Sequence, residues 1–374
     1  MKIAFVSTIL GYPWGGADTL WTNAAEAAQR RGDELLISVS PVVAASPRVA
    51  ALIDAGARLH ERVPASVPDS LSARIAGKIR RKLGRAGDGL VDELTAFRPD
   101  LVIISLGGTY DLILHSDWVD WFAASRTRVR LIANWQEENP SLSEREWHAA
   151  KRALTLAKQV CFVSSRNLTV TRRHLLEPLP HARVIQNPLR WQPADVSPWP
   201  TSPTLQLATV SRLDEGKGIQ LVLHALAALP PATTPAWQLN IFGQGPAEAY
   251  LRATATHLGL TDRVHFRGYV KQLRDIWAEN HLLVSASVDD GVPMTIPEAM
   301  LCERPVLSTE VGGANDWLRD GETGFLCPAP TVPLLTATLA RAFATHAAWP
   351  ALGRAAATAA HARYLPQDYL TLLA

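Results

Sequence analysis

The chain has 374 residues, 47% of them hydrophobic and 19% charged, with a formal net charge of +2. This length accommodates two domains of ordinary size with sizeable cores, and so small a charge argues against nucleic acid as a partner. The three cysteines, Cys161, Cys302 and Cys327, fit no zinc spacing, no C-x-x-C pair and no even disulfide set, so they read as buried thiols in a reducing cytosol. The opening M-K-I-A-F-V-S-T is too short and too weakly basic for a signal peptide and reads as a buried strand. The longer uncharged stretches carry prolines, so none reads as a membrane-spanning helix.

In chain order, short apolar runs predict strands over 3–7, 35–39, 58–63, 101–105, 129–133, 159–163 and 183–186. Helical patterns fall over 17–31 and 143–157. The stretch 191–203 holds four prolines with no helical or strand period, and reads as a linker. Beyond it, strands are expected over 205–210, 238–242, 264–266, 282–285 and 305–307, with helices over 218–228, 246–258, 296–303 and 334–347. The strand runs are apolar without alternation, as in parallel sheets buried on both faces. The fold class is therefore α/β, with two Rossmann-like doubly wound domains facing across a cleft that receives the loops from the carboxyl ends of their strands. The expected division is 1–192, rejoined by a C-terminal helix over about 357–374, and 203–356.

Four loops in the second half carry chemistry. S-R-L-D-E-G-K-G over 211–218 puts Arg212 and Lys217 on one strand-to-helix loop, where a guanidinium and an ammonium can stabilise a departing diphosphate without a metal; two solvated loop cations are the alternative. F-G-Q-G-P over 242–246 places Gly243 and Gly245 where backbone can approach a ligand closely. The stretch S-V-D-D-G-V-P-M-T-I-P-E-A-M over 287–300 separates Asp290 from Glu298 by seven residues. Pro293 breaks regular structure between them. Amides near Met294, Thr295 and Ile296 then face phosphate at a helix start, Glu298 accepts from a ribose diol, and Asp290 reaches the transferred sugar. Helix capping and an Asp-Gly turn are the plainer accounts of the two acids. The fourth stretch, V-G-G over 311–313 followed by D-G-E-T-G over 320–324, reads as a glycine turn and then a surface turn.

The order R-L-x-x-x-K-G, G-x-G-P, V-x-F-x-G, S-x-x-D-G-x-P-x-x-x-x-E-A-M and V-G-G…D-G-x-T-G-F resembles the retaining glycosyltransferases of family 4. The resemblance covers 205–326 strongly and the N-terminal half in outline. It implies the two-domain GT-B fold and transfer of a sugar from a nucleotide-sugar donor to a glycan or lipid-linked acceptor, with retention. It implies surface-polysaccharide synthesis in the cytoplasm, and neither cofactor nor metal; no D-x-D pair is found. By resemblance Arg212 and Lys217 contact the diphosphate, Glu298 holds the ribose, and Asp290 stands where the family has glutamate, one methylene longer. The segment 266–270, with Tyr269 and Val270, matches the stretch beside the nucleobase.

In the N-terminal half, P-W-G-G-A-D over 13–18 resembles the family's glycine loop, and Gly15 and Gly16 are expected to offer amides to the donor phosphates. It lacks G-x-G-x-x-G spacing, so it is not a dinucleotide fingerprint. The family's histidine facing the sugar is missing; Gln136 stands near its place. His115 reads as a satisfied, partly buried side chain. Asp111, Asn134 and Glu137 are the other acceptor-side candidates, and Asn187 with Pro188 reads as structural. The stretch 70–86 carries six cations and no acid, with Leu71, Ile75, Ile79 and Leu83 on one helical stripe. It is a candidate for peripheral contact with an anionic membrane, against the alternative of a solvated surface helix. A Rossmann oxidoreductase is disfavoured for want of a fingerprint. A GT-B epimerase and a non-catalytic nucleotide-sugar-binding scaffold remain the alternatives.

Overall fold

The computed structural model describes residues 1–9, 14–62, 88–232 and 234–374. The basic stretch 70–86 lies outside them. The chain divides into two compact units, one of Met1–Pro188 with Pro366–Ala374, the other of Leu189–Leu365.

The first unit holds a seven-stranded sheet. Its strands are β1 (Lys2–Ser7), β2 (Glu34–Val39), β3 (Arg58–Glu61), β4 (Leu101–Gly108), β5 (Arg128–Trp135), β6 (Gln159–Phe162) and β7 (Ala182–Val184). Their order is β3-β2-β1-β4-β5-β6-β7, and every pairing is parallel. The second unit holds β8 (Leu205–Val210), β9 (Trp237–Phe242), β10 (Val264–Gly268), β11 (Leu282–Ser285), β12 (Val306–Thr309) and β13 (Gly324–Cys327). Their order is β10-β9-β8-β11-β12-β13, again parallel throughout.

The central strands of both sheets are buried, which is why they read as continuous apolar runs rather than alternating ones; edge strand β3, R-L-H-E, is largely exposed. In the second unit successive residues of one strand feed opposite cores. Leu207, Leu239, Ile241, Leu282, Val284 and Leu307 belong to one cluster. Ala208, Phe242, Leu283 and Val306 belong to the other. The three cysteines are all buried and free, and burial pushes the thiols of Cys161 and Cys302 up to about 12. They are packing residues rather than nucleophiles.

Three expectations differ from the structure. The proline-rich stretch 191–203 belongs to the second unit instead of linking freely. Its Asp195 and Ser197 are buried, and buried Arg304 donates to the carbonyls of Ser197 and Pro198 at 3.1 and 2.8 Å. Proline stops helix and strand there, but a guanidinium with five donors satisfies the exposed carbonyls. Second, helix Trp349–Arg363 belongs to the second unit, packed on helix Thr295–Leu301; only Pro366–Ala374 joins the first, where Arg130 donates to the carbonyls of Thr371 and Ala374. Third, the surface turn over 320–324 is present, but it leads directly into β13, a strand not expected because its first residue, Gly324, closes the stretch read as a turn.

Gly353, inside helix Trp349–Arg363, faces the carbonyl of Glu303 so closely that an added Cβ would collide with it, with Pro305 Cδ at 3.2 Å. Glycine in a helix interior is ordinarily destabilising relative to alanine by roughly 0.5–1 kcal/mol. Here the sign reverses: Gly353→Ala is expected to destabilise by about 1–3 kcal/mol through overpacking, read as a lower urea midpoint, and a rise would contradict the packing described.

Candidate functional site

In the second unit strand order reverses between β8 and β11, the switch point outside which ligands of such sheets bind. The loops leaving these two strands are 211–218 and 286–294, which carry Arg212, Lys217 and Asp290. They are fastened together by backbone. Gly218, at φ +63°, lies so close to the Ala286 carbonyl that no Cβ fits, and the Val288 amide donates to the Gly216 carbonyl at 2.9 Å. The result brings Lys217 Nζ to 2.6 Å from Asp290 Oδ2, across 73 residues of sequence. Ser287 Oγ donates to the same oxygen at 3.2 Å. Arg212 Nε donates to Asp214 at 2.6 Å, and its side chain is 43% exposed.

The neighbouring loops are locked in the same manner. Gly243 presses on the Ser211 carbonyl, Gly245 on that of Leu213, and Gly312 on those of Asp290 and Gly291. Amide bonds run from Ser211 to Phe242 O at 3.0 Å, Gly243 to Gly268 O at 2.8 Å, and Gly313 to Gly291 O at 2.9 Å. The space where the Cβ atoms of Gly243 and Gly245 would stand is filled by the backbone of the Arg212 loop, so these glycines seat one loop on another.

Helix Thr295–Leu301 begins after Pro293, with Met294 as its N-cap residue. The Ile296 amide donates to the Pro293 carbonyl at 3.0 Å, so of the three amides expected to face phosphate this one is already taken. Glu298 lies in the first turn of this helix and is 4% exposed. Arg190 Nε lies 3.2 Å from each of its carboxylate oxygens, and the Arg190 amide reaches Oε1 at 3.5 Å. Burial holds the Glu298 carboxyl above the usual range, opposed by Arg190. Arg190 Nη1 also donates to the Val270 carbonyl at 3.5 Å, while Tyr269 beside it is 67% exposed.

In the first unit the switch point lies between β1 and β4. There Thr8 Oγ1 donates to Asp111 Oδ2 at 2.5 Å, the Gly108 amide donates to the same oxygen at 3.1 Å, and the Gly107 amide donates to Thr8 Oγ1 at 2.9 Å. Asp111 is therefore engaged in bracing its own loops, and burial raises its pKa. Gly15 N-caps helix Gly16–Arg30 and donates to buried Asp18 at 3.0 Å. Asn134 Nδ2 donates to Ser105 Oγ and Leu106 O at 3.0 and 2.8 Å; its Oδ1 is buried with no partner among the described residues. Gln136 is buried and accepts from Thr171 at 3.0 Å, which ties it to helix Ser165–Leu175. Only Glu137 of the acceptor-side candidates is exposed. Asn187 is buried.

Residues 204–344 match the family described as glycosyl transferases group 1. This similarity lies wholly within the second unit. Among curated proteins, the D-inositol 3-phosphate glycosyltransferase of Streptomyces bingchenggensis is 26% identical over 284 residues, 66% of this chain and 62% of that one. The lipopolysaccharide core biosynthesis glycosyltransferase LpsE of Rhizobium meliloti is 30% identical over 118 residues, 32% of this chain and 33% of that one. The chain spans less than two thirds of the length of these curated relatives. Among solved structures, Anabaena Alr3699/HepE in complex with UDP-glucose superposes with a TM-score of 0.73 at 20% identity, over 99% of this chain and 97% of that one. The fold is thus that of the GT-B glycosyltransferases, two α/β units with parallel sheets of seven and six strands.

All of the expected diphosphate, sugar, ribose and nucleobase residues of the second unit lie within the matched residues 204–344. Arg190 lies outside the matched residues, and the sequence reading missed it because a lone arginine in N-P-L-R-W carries no spacing. It also missed a buried cluster in the first unit. Arg62, 1% exposed, donates to Asp88 at 2.6 Å and to the Ser7 carbonyl, and lies 4.5 Å over the Trp118 ring. His115 stacks on Trp118 with ring centroids 3.9 Å apart.

Burial and Arg62 lower the His115 pKa from 6.5 to about 4, with Asp88 opposing. The unfolded chain therefore takes up this proton first, and the native state loses stability as pH falls from about 6.5 to about 4. His115→Phe keeps a ring against Trp118 without the proton. It is expected to flatten the decline of melting temperature with acidity across that window relative to wild type; parallel curves would contradict the assignment.

Proposed function

We propose that the chain is a glycosyltransferase that moves a sugar from a nucleoside-diphosphate sugar to a glycan or lipid-linked acceptor, with retention and without a divalent metal. The observation that carries this reading is the pairing of Lys217 with Asp290 across the switch point, with Arg212 on the same loop. The UDP-glucose complex of the HepE structure supports the donor class, and the printed names of relatives support polysaccharide assembly. The setting proposed is the cytoplasm, with the membrane's inner face as the alternative place of action. Among the described residues no helix is long and apolar enough to cross a membrane.

As the glycosidic bond breaks, its electron pair passes to the diphosphate. Lys217 has three donors; one stays on Asp290 while the others meet the diphosphate oxygens, and Arg212 adds a planar second cation. Asp290 accepts from a sugar hydroxyl and keeps Lys217 from swinging into solvent. The acceptor hydroxyl attacks from the face the diphosphate leaves, and its proton passes to a diphosphate oxygen. That sequence retains configuration and needs no side-chain base, in accord with Gln136 being tied to Thr171.

The test begins with thermal shifts for UDP, GDP and ADP and their sugars, since a ligand of the native state raises the melting temperature. One of them is expected to stabilise the protein, and turnover of its sugar is expected to persist in EDTA. Arg212→Ala and Lys217→Ala are each expected to lower kcat by roughly 10²–10³, the scale for loss of a preorganised charge-stabilising donor. No response to any nucleotide would refute the reading, and turnover abolished by EDTA would refute its metal independence.

A further inference from the structure

Arg190 makes a polar contact in the second unit that the proposed reaction leaves without a task. It sits ahead of the matched residues and joins two separate parts of the expected nucleoside site. Its Nε lies 3.2 Å from both oxygens of Glu298, and its Nη1 donates to the Val270 carbonyl at 3.5 Å. Glu298 is 4% exposed, whereas the Arg190 side chain is 36% exposed. One face of the guanidinium therefore meets a buried carboxylate and the other meets solvent.

We propose that Arg190 is a positioning residue for nucleoside recognition: it fixes the Glu298 carboxylate as the acceptor of a ribose diol and couples that acceptor to the Val270 backbone beside the base. The inference rests on the nucleotide-sugar reading above. Each carboxylate oxygen has two lone pairs, so Glu298 can keep Arg190 and still accept from two hydroxyls. A carboxylate without a partner in so buried a place would be driven toward its neutral form. Other groups act in the same direction or nearby: buried Asp195 adds its negative charge to Glu298, and the buried Cys302 thiol borders both acids. Arg190 is the cation that opposes them.

A merely structural arginine and a recognition arginine differ in what they do to the 2′-hydroxyl. The experiment measures dissociation constants of UDP and 2′-deoxy-UDP for wild type, Arg190→Met and Arg190→Lys by calorimetry, with the GDP and ADP pairs run alongside, across pH 5.5–8.5. Wild type is expected to favour the ribonucleotide by roughly tenfold, the scale of one hydrogen bond to a charged group. Arg190→Met is expected to bring the two within about twofold, and to bind the ribonucleotide better as pH rises and Glu298 ionises, with a steeper dependence than wild type. Arg190→Lys, which keeps the charge but not the fork, is expected to restore part of the preference, and it carries the test if the methionine variant does not fold. A methionine variant that is folded and discriminates as wild type does would overturn the proposal, as would one that binds the ribonucleotide more tightly, which would make Arg190 an obstruction. Wild type binding a nucleotide without discriminating the 2′-hydroxyl would also overturn it, leaving the donor reading intact. Wild type binding no nucleotide would remove both.

Discussion

The chemistry of the second unit depends on one close approach, that of Gly218 to the backbone of Ala286. β8 and β11 are neighbours in the sheet, but neighbouring strands alone do not bring their following loops into register. Here the absence of a side chain at 218, in a left-handed conformation that glycine adopts at little cost, lets the first loop lie on the second. The Val288 amide then closes on Gly216. Once these backbones are fixed, Lys217 and Asp290 have little choice but to meet, and a contact spanning 73 residues becomes local geometry. Gly243, Gly245 and Gly312 extend the same device to the adjoining loops, so several chain segments share one rigid floor. A preorganised floor of this kind is what lets fixed charges act on a transition state without first paying for reorganisation.

The first unit builds an analogous joint by different means. At its switch point the β1 and β4 loops are held by Thr8, Asp111 and the amides of Gly107 and Gly108. A hydroxyl and a buried carboxyl do there what glycine packing does in the second unit. The cost is that Asp111 is spent on structure. Beneath it, Arg62 caps the Ser7 carbonyl at the end of β1 and is itself held by Asp88 and the Trp118 ring. Both units thus bring two loops together where strand order reverses, and in the second these loops carry Arg212 and Lys217.

Much of this was legible in the sequence because the two parallel sheets demand it. Strands buried on both faces must be apolar throughout, so most of them stood out as short runs between helical patterns; β13 escaped because G-F-L-C is brief and follows a turn. The motif order on the second-unit loops was legible because close backbone packing there needs glycines at fixed strand ends. What the sequence could not disclose was the use to which some residues are put. Gly243 and Gly245 look alike whether they face a ligand or a neighbouring carbonyl. The prolines of 191–203 report an irregular backbone but not that Arg304, a hundred residues on, satisfies it. Arg190 has no spacing to announce it, because its partners Glu298 and Val270 are distant in the chain.

That last case shows why recognition residues of this sort escape motif reading. A carboxylate that must accept hydrogen bonds from a ligand works best when desolvated, since water is then not a competitor, yet desolvation drives it toward the neutral form that accepts less well. A cation beside the carboxylate opposes that drive, and it can come from any segment that passes by. Only its charge and reach are constrained. In this chain the segment entering the second unit supplies it, with Nε on Glu298 and Nη1 on Val270. The planar fork of arginine suits that double duty, because one group can satisfy a carboxylate and a carbonyl at once while presenting a fixed geometry to both. On the role proposed for Arg190, the charged loops are constrained by strand ends, whereas the cation beside the buried acid is constrained only by space.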